Sequence, residues 1–354
     1  MEFFFDGLLD NKPLYFIAEI GSNFDGDLSR AKDLIWLAAE AGANAAKFQH
    51  YTAGSLVSDR GFRNLSNSSH QNDWQHSVFE TYDKASLNYD WTNTLKLECD
   101  KANIDFMTSP YSFELVDYVA DYVKAFKIGS GDIDWVEIIE HIAAKNKPVL
   151  LATGASNQEE VDNAYNAVVK HNGKVVIMQC NTNYTNSMEV FNHLNLNVLK
   201  TYSKRYPGAV LGLSDHSPGF TSVIVSIALG ARVIEKHFTD DTNRIGPDHG
   251  FAITPKIWRD MVEQSTCALA SLGSGNKKVE ENEYDTRIVQ RRCIRAKTNL
   301  TKNSILSRSD CDILRPCPSD GLSPSKLNDV IGKKLTKDIV RGDVVTLKDI
   351  DGLV

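Results

Sequence analysis

Short apolar runs alternate with amphipathic stretches along the first three quarters of the 354-residue chain. Eight runs predict β-strands, at residues 14–21, 45–49, 104–109, 125–130, 149–154, 175–180, 209–214 and 232–238. Helices are predicted between them, for example over residues 28–41, with Asp27 as the N-cap and Gly42 as the stop, and the last over residues 255–272. Eight alternations of strand and helix predict an α/β fold, the closed (β/α)8 TIM barrel. An open, doubly wound sheet is disfavoured because residues 21–26 do not form a Gly-x-Gly-x-x-Gly fingerprint.

Two segments depart from this alternation. Residues 50–89 form the longest connection and follow the second strand, so we expect them over the barrel mouth, where a lid is one role for them. After the barrel domain at residues 1–272, a polar linker at 273–284 leads to a module at 285–354. Short apolar runs broken by Gly and Pro predict that this module is β-rich. Its small core leads us to expect that it docks onto a partner surface.

Composition and charge narrow the class of protein. A hydrophobic share of 42% suits a globular protein with a sizeable core, and no apolar run reaches the roughly 18 residues of a membrane span. The net charge of −7 gives no electrostatic reason to expect a nucleic acid or an anionic membrane as a partner. Six cysteines without a Cys-x-x-Cys pair, and an N-terminus without the features of a secretion signal, predict reduced thiols in a cytoplasmic protein.

Polar side chains gather where the predicted strands end. They are Glu19, Lys47, Gln49, Thr108, Ser109, Lys127, Ser130, Thr153, Cys180, Asp215, His216, Lys236 and His237. The carboxyl ends of barrel strands carry catalytic side chains in TIM barrels, so we expect these groups to form a site. Alternation along a strand gives Glu235 and His237 one facing and Lys236 the other, which favours a structural role for Lys236.

His216 and His237 stand at matching ends of the last two strands. Two imidazoles in that arrangement can hold a divalent metal with positions open for water and substrate. The alternative is a pair of hydrogen-bonded core histidines. Asp248 and His249, on the loop after the eighth strand, add a candidate ligand or base.

Lys47 and Lys127 can bind a phosphate or a carboxylate, with Ser130 completing the cradle. The alternative is an ordinary salt bridge of each lysine to Glu19 or Asp132. Those two carboxyl groups are themselves candidates for acid–base catalysis or for binding substrate hydroxyls.

These residues together resemble the sialic acid (nonulosonic acid) synthases, in particular the N-acetylneuraminate synthases. The resemblance is carried by residues 17–21, 46–49, 127–130, 213–216, 234–239 and 246–249. Residues 290–292 and 314–316 make the C-terminal module similar to the antifreeze-like (β-clip) domain of that family.

The resemblance implies a transferase of the EC 2.5.1 type that serves cell-surface polysaccharide biosynthesis. It would condense phosphoenolpyruvate with an N-acyl amino-sugar aldehyde to give a nonulosonic acid and phosphate. His216 and His237 would hold Mn²⁺, with Mg²⁺ or Co²⁺ as alternatives. The resemblance further implies that phosphoenolpyruvate is bound by Lys47, Lys127 and Ser130, with Gln49 and Thr108 nearby. It implies that the sugar is bound, or its protons are transferred, by Glu19, Asp132, Tyr184 and Asp248.

The resemblance also implies a domain-swapped homodimer, in which Arg315 of one copy reaches the acyl group of the sugar in its partner. Four positions depart from the family pattern: Phe24 replaces a histidine, Asp132 a glutamate, Ala152 a serine, and Tyr184-Thr185 lacks a proline. We expect all four near the sugar, which predicts a different acceptor, such as a deoxy or diacylamino sugar.

Two other functions stay open on the sequence. A barrel aldolase or lyase acting on pyruvate itself would not need the paired lysines. A catalytically inactive, carbohydrate-binding barrel is motivated by Phe24 and Asp132.

Overall fold

The computed structural model describes residues 13–65, 71, 74 and 76–352. The N-terminal segment that we interpreted as lacking a secretion signal, residues 1–12, lies outside the described residues, and so do parts of the long connection at 50–89. The strands in the described residues are β1 (Tyr15–Glu19), β2 (Ala45–His50), β3 (Asp105–Pro110), β4 (Phe126–Ile128), β5 (Val149–Ala152), β6 (Val175–Cys180), β7 (Val210–Asp215), β8 (Val233–His237), β9 (Cys293–Ala296) and β10 (Cys311–Leu314).

Helices follow the strands in regular order. They are α1 (Leu28–Glu40), α2 (Ala53–Leu56), α3 (Asp59–Arg63), α4 (Val78–Ala85), α5 (Thr92–Lys101), α6 (Phe113–Val119), α7 (Val136–Ala143), α8 (Gln158–Val169), α9 (Val198–Arg205), α10 (Thr221–Ala228), α11 (Pro255–Ser271), α12 (Tyr284–Gln290) and α13 (Leu327–Val330). Short 3₁₀ turns cover Tyr89–Trp91, Ser130–Asp132, Met188–Asn192, Glu281–Glu283, Arg308–Asp310, Pro324–Lys326 and Leu347–Asp349.

Strands β1 to β8 form one closed, parallel barrel in sequence order. The barrel closes where β1 pairs with β8, and this register sets Glu19 beside Lys47 on one side and beside His237 on the other. The predicted TIM barrel is therefore confirmed. Strands β1 and β4 are each three residues shorter than predicted, and β4 stops at Ile128 because residues Ser130–Asp132 turn into a 3₁₀ helix.

Side chains of alternating strand residues fill the barrel. Its interior layer consists of Tyr15, Ile17, Ala45, Met107, Ala125, Leu150, Val176, Met178, Val210 and Val233. A larger apolar cluster lies between the strands and the surrounding helices. Inward-pointing side chains at the carboxyl ends of the strands therefore lie directly above this packed apolar layer. Little water screens charges there, so charged side chains interact strongly.

Local sequence signals account for the ends of the first helix. The Asp27 carboxylate accepts hydrogen bonds from the backbone amides of Ser29 and Arg30, at 2.7 and 3.3 Å, so it caps α1 as predicted. Gly42, two residues beyond the helix, has a φ of +97°, which favours glycine at the C-terminal stop.

The connection after β2 carries helices α2, α3 and α4. Thr52 and Ser77 cap α2 and α4 in capping boxes with Ser55 and Glu80. This segment brings aromatic side chains to the carboxyl end of the barrel, as described below.

The chain divides into two compact units between Gly273 and Ser274. In the C-terminal unit, β9 and β10 pair antiparallel, with Cys311 opposite Ala296. Isolated β-bridges and a small apolar core, which includes Leu306, Val330 and Val345, complete this unit. Each of the six cysteines is a free thiol, and within the described ranges no helix is long and apolar enough to cross a membrane.

Candidate active site

A buried cluster of four charges lies at the carboxyl end of the barrel. Lys47 on β2 donates a short hydrogen bond to Glu19 on β1, and its Nζ lies 3.8 Å from Oε1 of Glu235 on β8. Lys127 on β4 has its Nζ 3.2 Å from the same Glu235 oxygen. All four side chains are buried, and two lysines balance two glutamates. The formal charges of the cluster cancel when both glutamates are ionised, and its two lysines are kept close together.

The protonation of this cluster follows from its geometry. Burial works to raise the pKa of Glu235, but Lys127 and Lys47 outweigh it and hold that pKa below its usual range. Burial raises the pKa of Glu19, the charge of Glu235 adds to this effect, and Lys47 opposes it. Burial works to lower the pKa of Lys47, yet Glu19 and Glu235 raise it overall. Glu235 is thus ionised and Lys47 is protonated near neutral pH.

Two histidines face each other beside these charges, with ring centroids 5.4 Å apart. The Nδ1 atom of His216 lies 3.0 Å from the backbone oxygen of Asn181, an arrangement that fixes this nitrogen as a donor and leaves Nε2 free to bind a ligand. His237 is buried, and its Nδ1 has no hydrogen-bond partner; the nearest carboxylate oxygen, Asp248 Oδ2, is 4.0 Å away.

The electrostatics of His237 suit a metal ligand. Burial lowers its pKa well below the usual range, and the neighbouring His216 and Lys47 act in the same direction. A neutral imidazole with an unpaired, buried nitrogen fits a divalent cation. Among the described residues, no group of three or more His, Cys, Asp or Glu side chains could enclose a metal. A cation held by these two histidines would therefore take its other ligands from water or substrate.

Ser130 belongs to a tightly packed turn next to Lys127. Its Oγ accepts a hydrogen bond of 3.0 Å from the backbone amide of Gly154. A Cβ at Gly154 would lie 2.9 Å from this Oγ and 2.8 Å from Cγ2 of Thr182, so only glycine lets the end of β5 approach so closely. The turn thus holds a hydroxyl and backbone amides near the lysine pair, as an anion cradle needs.

A cavity of about 390 Å³ opens above these groups. Its lining from the strand ends and their loops includes Ser22, Gln49, Tyr111, Ser130, Asp132, Tyr184, His237 and Asp248. The connection after β2 lines another part with Tyr51, Leu56, Val57, Phe62, Gln71, Trp74, Thr81, Tyr82 and Ala85. The cavity is of a size to accept a monosaccharide.

Two aspartates of this cavity have distinct environments. Burial, helped by the charge of Asp134 and opposed by Lys127, raises the pKa of Asp132 to about 6. Asp248 accepts hydrogen bonds from the backbone amide and hydroxyl of Ser22, at 3.2 and 2.9 Å. Gly21 has a φ of +53°, and a Cβ there would lie 2.7 Å from Asp248 Oδ2. Glycine at position 21 is therefore what allows Asp248 to stand beside the strand ends.

The structure brings together most of the residues that the sequence singled out. They are Glu19, Lys47, Gln49, Lys127, Ser130, Asp132, Tyr184, His216, His237 and Asp248. Lys236 points out of the barrel and pairs with Asp215, Nζ to Oδ2 at 2.7 Å, as the strand alternation predicted. Arg315 lies in the C-terminal unit with its side chain exposed.

Thr108 points away from the inward side chains of this site. It is one residue out of phase with Met107, which fills the barrel, so its side chain points toward the helices. There its hydroxyl lies 2.7 Å from Nδ1 of His50, while the other ring nitrogen lies 2.9 Å from Thr92. The inward residue at this position of β3 is Ser109, and the expectation that Thr108 lies near the substrate stays a prediction.

Phe24 is also placed differently from our expectation. Its side chain is 1% exposed and packs against Phe48 and Trp91, with ring centroids 6.4 and 6.3 Å away. Neither Phe24 nor the fully buried Ala152 is among the residues that line the cavity, whereas Asp132 and Tyr184 are. Only two of the four departures from the family pattern therefore border the candidate sugar site.

Three features escaped the sequence reasoning. Glu235 is the common partner of both lysines, although the alternation had already given it the facing of His237. His249 is buried and links Thr239 to Asp25, with ring nitrogens 2.8 and 2.9 Å from their oxygens. The connection after β2 lines the cavity with Tyr51, Phe62, Trp74 and Tyr82, and these aromatic residues show no periodicity in the sequence that predicts such a lining.

Similarity to known proteins agrees with this geometry. Residues 34–277 match the NeuB family and residues 291–351 match the SAF domain. The chain is 32% identical over 341 residues to the N,N'-diacetyllegionaminic acid synthase of Campylobacter jejuni, covering 94% of this chain and 99% of that protein. It is 27% identical to the N-acetylneuraminate-9-phosphate synthase of Homo sapiens, covering 96% of this chain and 93% of that protein. The crystal structure of an N-acetylneuraminic acid (sialic acid) synthetase from Leptospira borgpetersenii, in complex with citrate, is similar with a TM-score of 0.68 and 27% identity, over 78% of this chain and 90% of that one.

Proposed function

Because the chain belongs to the NeuB family and carries a SAF domain, we propose that it condenses phosphoenolpyruvate with the aldehyde of an N-acyl amino sugar, releasing a nonulosonic acid and inorganic phosphate. The reaction class is a transferase of the EC 2.5.1 type. One observation carries the proposal: Lys47 and Lys127 converge on Glu235 at the barrel mouth, beside Ser130 and within the same mouth as two histidines.

The paired lysines suit phosphoenolpyruvate because that substrate carries a phosphate and a carboxylate on neighbouring atoms. Each anionic group can pair with one ammonium group, and the Ser130 turn adds hydrogen-bond donors. The glutamates keep both lysines in place before the substrate arrives, so less side-chain entropy is lost on binding. Free pyruvate has a carboxylate but no phosphate, so it would use only one of the two ammonium groups, which disfavours the aldolase alternative.

In the proposed reaction, C3 of phosphoenolpyruvate forms a bond to the aldehyde carbon, water adds at C2, and phosphate leaves. The aldehyde oxygen gains a proton. Asp132 lines the cavity with a pKa raised to about 6 by burial and by Asp134, so it can hold that proton near neutral pH. Gln49 and Tyr184 line the same cavity and can bind sugar hydroxyls, as can Asp248.

A divalent cation held by His216 and His237 belongs to this proposal, with Mn²⁺ preferred and Mg²⁺ or Co²⁺ as alternatives. Its chemistry would be that of a Lewis acid on the aldehyde carbonyl. The residues of the chain prepare this role by keeping His237 neutral and by orienting His216 through Asn181.

For the C-terminal unit we propose a role in a homodimer, in which Arg315 of one copy reaches the acyl group of the sugar bound to the other. Its guanidinium is a suitable donor to an amide carbonyl. Support comes from the matched SAF domain and from the exposure of Arg315 on its own unit.

The test is phosphate release from phosphoenolpyruvate with Mn²⁺ and a panel of acceptors: N-acetylmannosamine, its 6-phosphate, and diacetamido-trideoxyhexoses. We expect release that requires both substrates and stops with EDTA, and a product whose mass is the sum of the two substrates plus water minus phosphoric acid. Turnover of pyruvate without phosphate would favour the aldolase. Sugar binding without turnover would favour the inactive, carbohydrate-binding barrel.

A further inference from the structure

His249 is completely buried, yet the reaction proposed above gives it no role. It lies on the loop after β8, directly after Asp248, which lines the cavity. A buried imidazole with both nitrogens hydrogen-bonded is held in one orientation, and it holds its partners in turn. The residues that His249 contacts therefore decide what it can position.

The two ring nitrogens of His249 connect two loops. Nδ1 lies 2.8 Å from the hydroxyl oxygen of Thr239, two residues beyond the end of β8. Nε2 lies 2.9 Å from Oδ1 of Asp25, on the loop between β1 and α1. An ionised carboxylate can only accept a hydrogen bond, so Nε2 is the donor to Asp25. The imidazole thus bridges the loop after β8 to the loop after β1.

The same two loops are joined at two further places. The side-chain amide of Asn23 donates a hydrogen bond of 3.0 Å to the backbone oxygen of Phe238. Arg30, on α1, pairs with Asp25 at 3.0 Å, and its two terminal nitrogens donate to Asp240 at 2.8 and 2.6 Å. The loops after β1 and β8 therefore form one connected structure.

Asp248 is attached to this structure through one of its two carboxylate oxygens. The amide and the hydroxyl of Ser22 both donate to Oδ2, so a ligand in the cavity can use Oδ1. Because Asp248 and His249 are consecutive residues, a displacement of the imidazole would move this carboxylate as well.

Gly246 shows how closely the loop after β8 wraps around His249. A Cβ at Gly246 would lie 2.7 Å from Cδ2 and 3.1 Å from Nε2 of the imidazole, so only glycine allows this approach. A Cβ at Gly250, on the same loop, would meet nothing within 4 Å. Neither glycine has a φ in the left-handed region, so the contact with His249 is what distinguishes the two positions.

We propose that His249 is a positioning residue, whose bridge between Thr239 and Asp25 fixes the loop after β8 so that Asp248 presents its carboxylate to the sugar. This inference rests on the proposed function, which places the sugar against Asp248. A carboxylate that is in place before the sugar arrives loses less entropy on binding, so affinity for the sugar should depend on the bridge. Phosphoenolpyruvate binding should depend on it much less, because Lys47 and Lys127 lie on strands.

The experiment is a double-mutant cycle in the full chain with phosphoenolpyruvate, Mn²⁺ and the acceptor panel of N-acetylmannosamine, its 6-phosphate and diacetamido-trideoxyhexoses. His249→Leu should raise the KM for the acceptor about tenfold and leave the KM for phosphoenolpyruvate within about twofold. In the Asp248→Asn background, His249→Leu should change the acceptor's kcat/KM by less than about twofold, because it acts through that carboxylate.

His249→Gln is the conservative variant, since its side-chain amide keeps a donor toward Asp25. It should recover most of the acceptor affinity that His249→Leu loses. A merely structural role predicts instead that both KM values rise together and that the effects of His249→Leu and Asp248→Asn are additive. Either of these results would overturn the inference.

Gly246→Ala tests the same bridge without altering the imidazole, so it decides the question if His249→Leu fails to fold. Its Cβ should push the ring away from Asp25 and raise the acceptor's KM about tenfold. Gly250→Ala is the matched control and should behave like the wild type. Equal effects of the two alanines, or none from Gly246→Ala, would contradict the role of His249.

Sugar binding measured by calorimetry separates this inference from the proposed function. If the wild type binds a sugar of the panel but releases no phosphate, the condensation is wrong. The inference is still supported if Gly246→Ala then weakens sugar binding and Gly250→Ala does not, and it is wrong if both bind the sugar like the wild type. A wild type that neither binds nor turns over any of these sugars would overturn it as well.

Discussion

Lys127 and Glu235 meet across the mouth of the barrel, with Nζ 3.2 Å from Oε1 and with 3% and 7% of their side chains exposed. The same carboxylate oxygen lies 3.8 Å from Nζ of Lys47. Glu235 thus compensates two buried ammonium groups from one position. Its other oxygen, Oε2, has no hydrogen-bond partner, so the electrostatic pairing with lysine is the main interaction that this side chain makes.

Glu235→Gln should therefore destabilise the protein without ligand. The change keeps the volume but leaves one buried lysine charge uncompensated, which costs on the order of 3 kcal/mol in the free energy of unfolding. Phosphoenolpyruvate should recover part of this loss, because its anionic groups can replace the missing carboxylate. Urea denaturation with and without phosphoenolpyruvate measures both effects.

The control for this change is Glu140→Gln. Glu140 pairs with Lys170 at 2.8 Å on the exposed surface, where solvent screens the charges, so its loss should leave the denaturation midpoint almost unchanged. Equal destabilisation by the two variants would contradict the role assigned to Glu235.

A matched pair of glycines tests the placement of Asp248. Gly21 and Gly26 flank one loop and have φ angles of +53° and +71°, so alanine costs backbone energy at both, of about 1–2 kcal/mol. Only at Gly21 would the new Cβ meet Asp248, at 2.7 Å from Oδ2, whereas nothing lies within 4 Å at Gly26. Gly21→Ala should lower kcat/KM for the sugar by about tenfold or more, and Gly26→Ala should not.

Thermal unfolding of both glycine variants shows whether a loss of activity comes from a loss of stability. Similar losses in unfolding temperature are expected for both, because backbone strain is common to both positions. A similar loss of activity in both would mean that the loop as a whole matters, and that Asp248 has no special part.

Asp132 should make the stability of the protein fall as the pH rises. Burial and Asp134 raise its folded-state pKa to about 6, with Lys127 opposing, and Tyr111 also faces it across Gly129. The unfolded carboxyl loses its proton at a lower pH than the folded one. Its contribution to stability is therefore full at low pH and is lost as the pH rises to about 6 and above.

Asp132→Asn should remove this dependence. We compare the free energy of unfolding of the variant with that of the wild type at each pH. This difference should shift in favour of the variant by about 2 kcal/mol as the pH rises from 4 to 7, after allowance for the partial exposure of the side chain. Urea denaturation at the two pH values measures the difference. Asp134→Asn removes only the neighbouring charge and should give a smaller change of the same sign; a gain that does not vary with pH would contradict the raised pKa.

The sequence predicted the barrel and most of the site because both depend on periodicity. Along each strand, successive side chains point alternately into and out of the barrel. This alternation correctly placed Glu235 and His237 on the inner side and Lys236 on the outer side. The expectation for Thr108 came from the family resemblance rather than from the alternation along β3, which turns its side chain outward. Met107, an apolar residue in the middle of β3 that fills the barrel, is the signal that gives this outward direction.

What the sequence could not predict lies in loops and in contacts between distant residues. His249 bonds Asp25 across 224 positions, and no local pattern announces such a link. Tyr51, Trp74 and Tyr82 belong to a connection without regular periodicity, and only the folded path of that connection forms them into a wall. Phe24 was expected near the sugar because it departs from the family pattern, whereas the loop turns its side chain into the core.

The proposed metal site predicts that Mn²⁺ binding depends on both histidines. Calorimetry or electron paramagnetic resonance on the full chain should detect one bound Mn²⁺, and His216→Ala and His237→Ala should each weaken binding by more than the roughly 10–100-fold that loss of an outer-shell partner costs. EDTA should abolish phosphate release, and added Mn²⁺ should restore it. His171, exposed after the C-terminal end of α8 and hence at the opposite end of the barrel, offers the control His171→Ala, which should bind Mn²⁺ like the wild type. Unchanged Mn²⁺ affinity in a protein that carries both active-site substitutions would disprove the assignment. The buried Nδ1 atom of His237, which has no hydrogen-bond partner, would then have to be explained by another ligand.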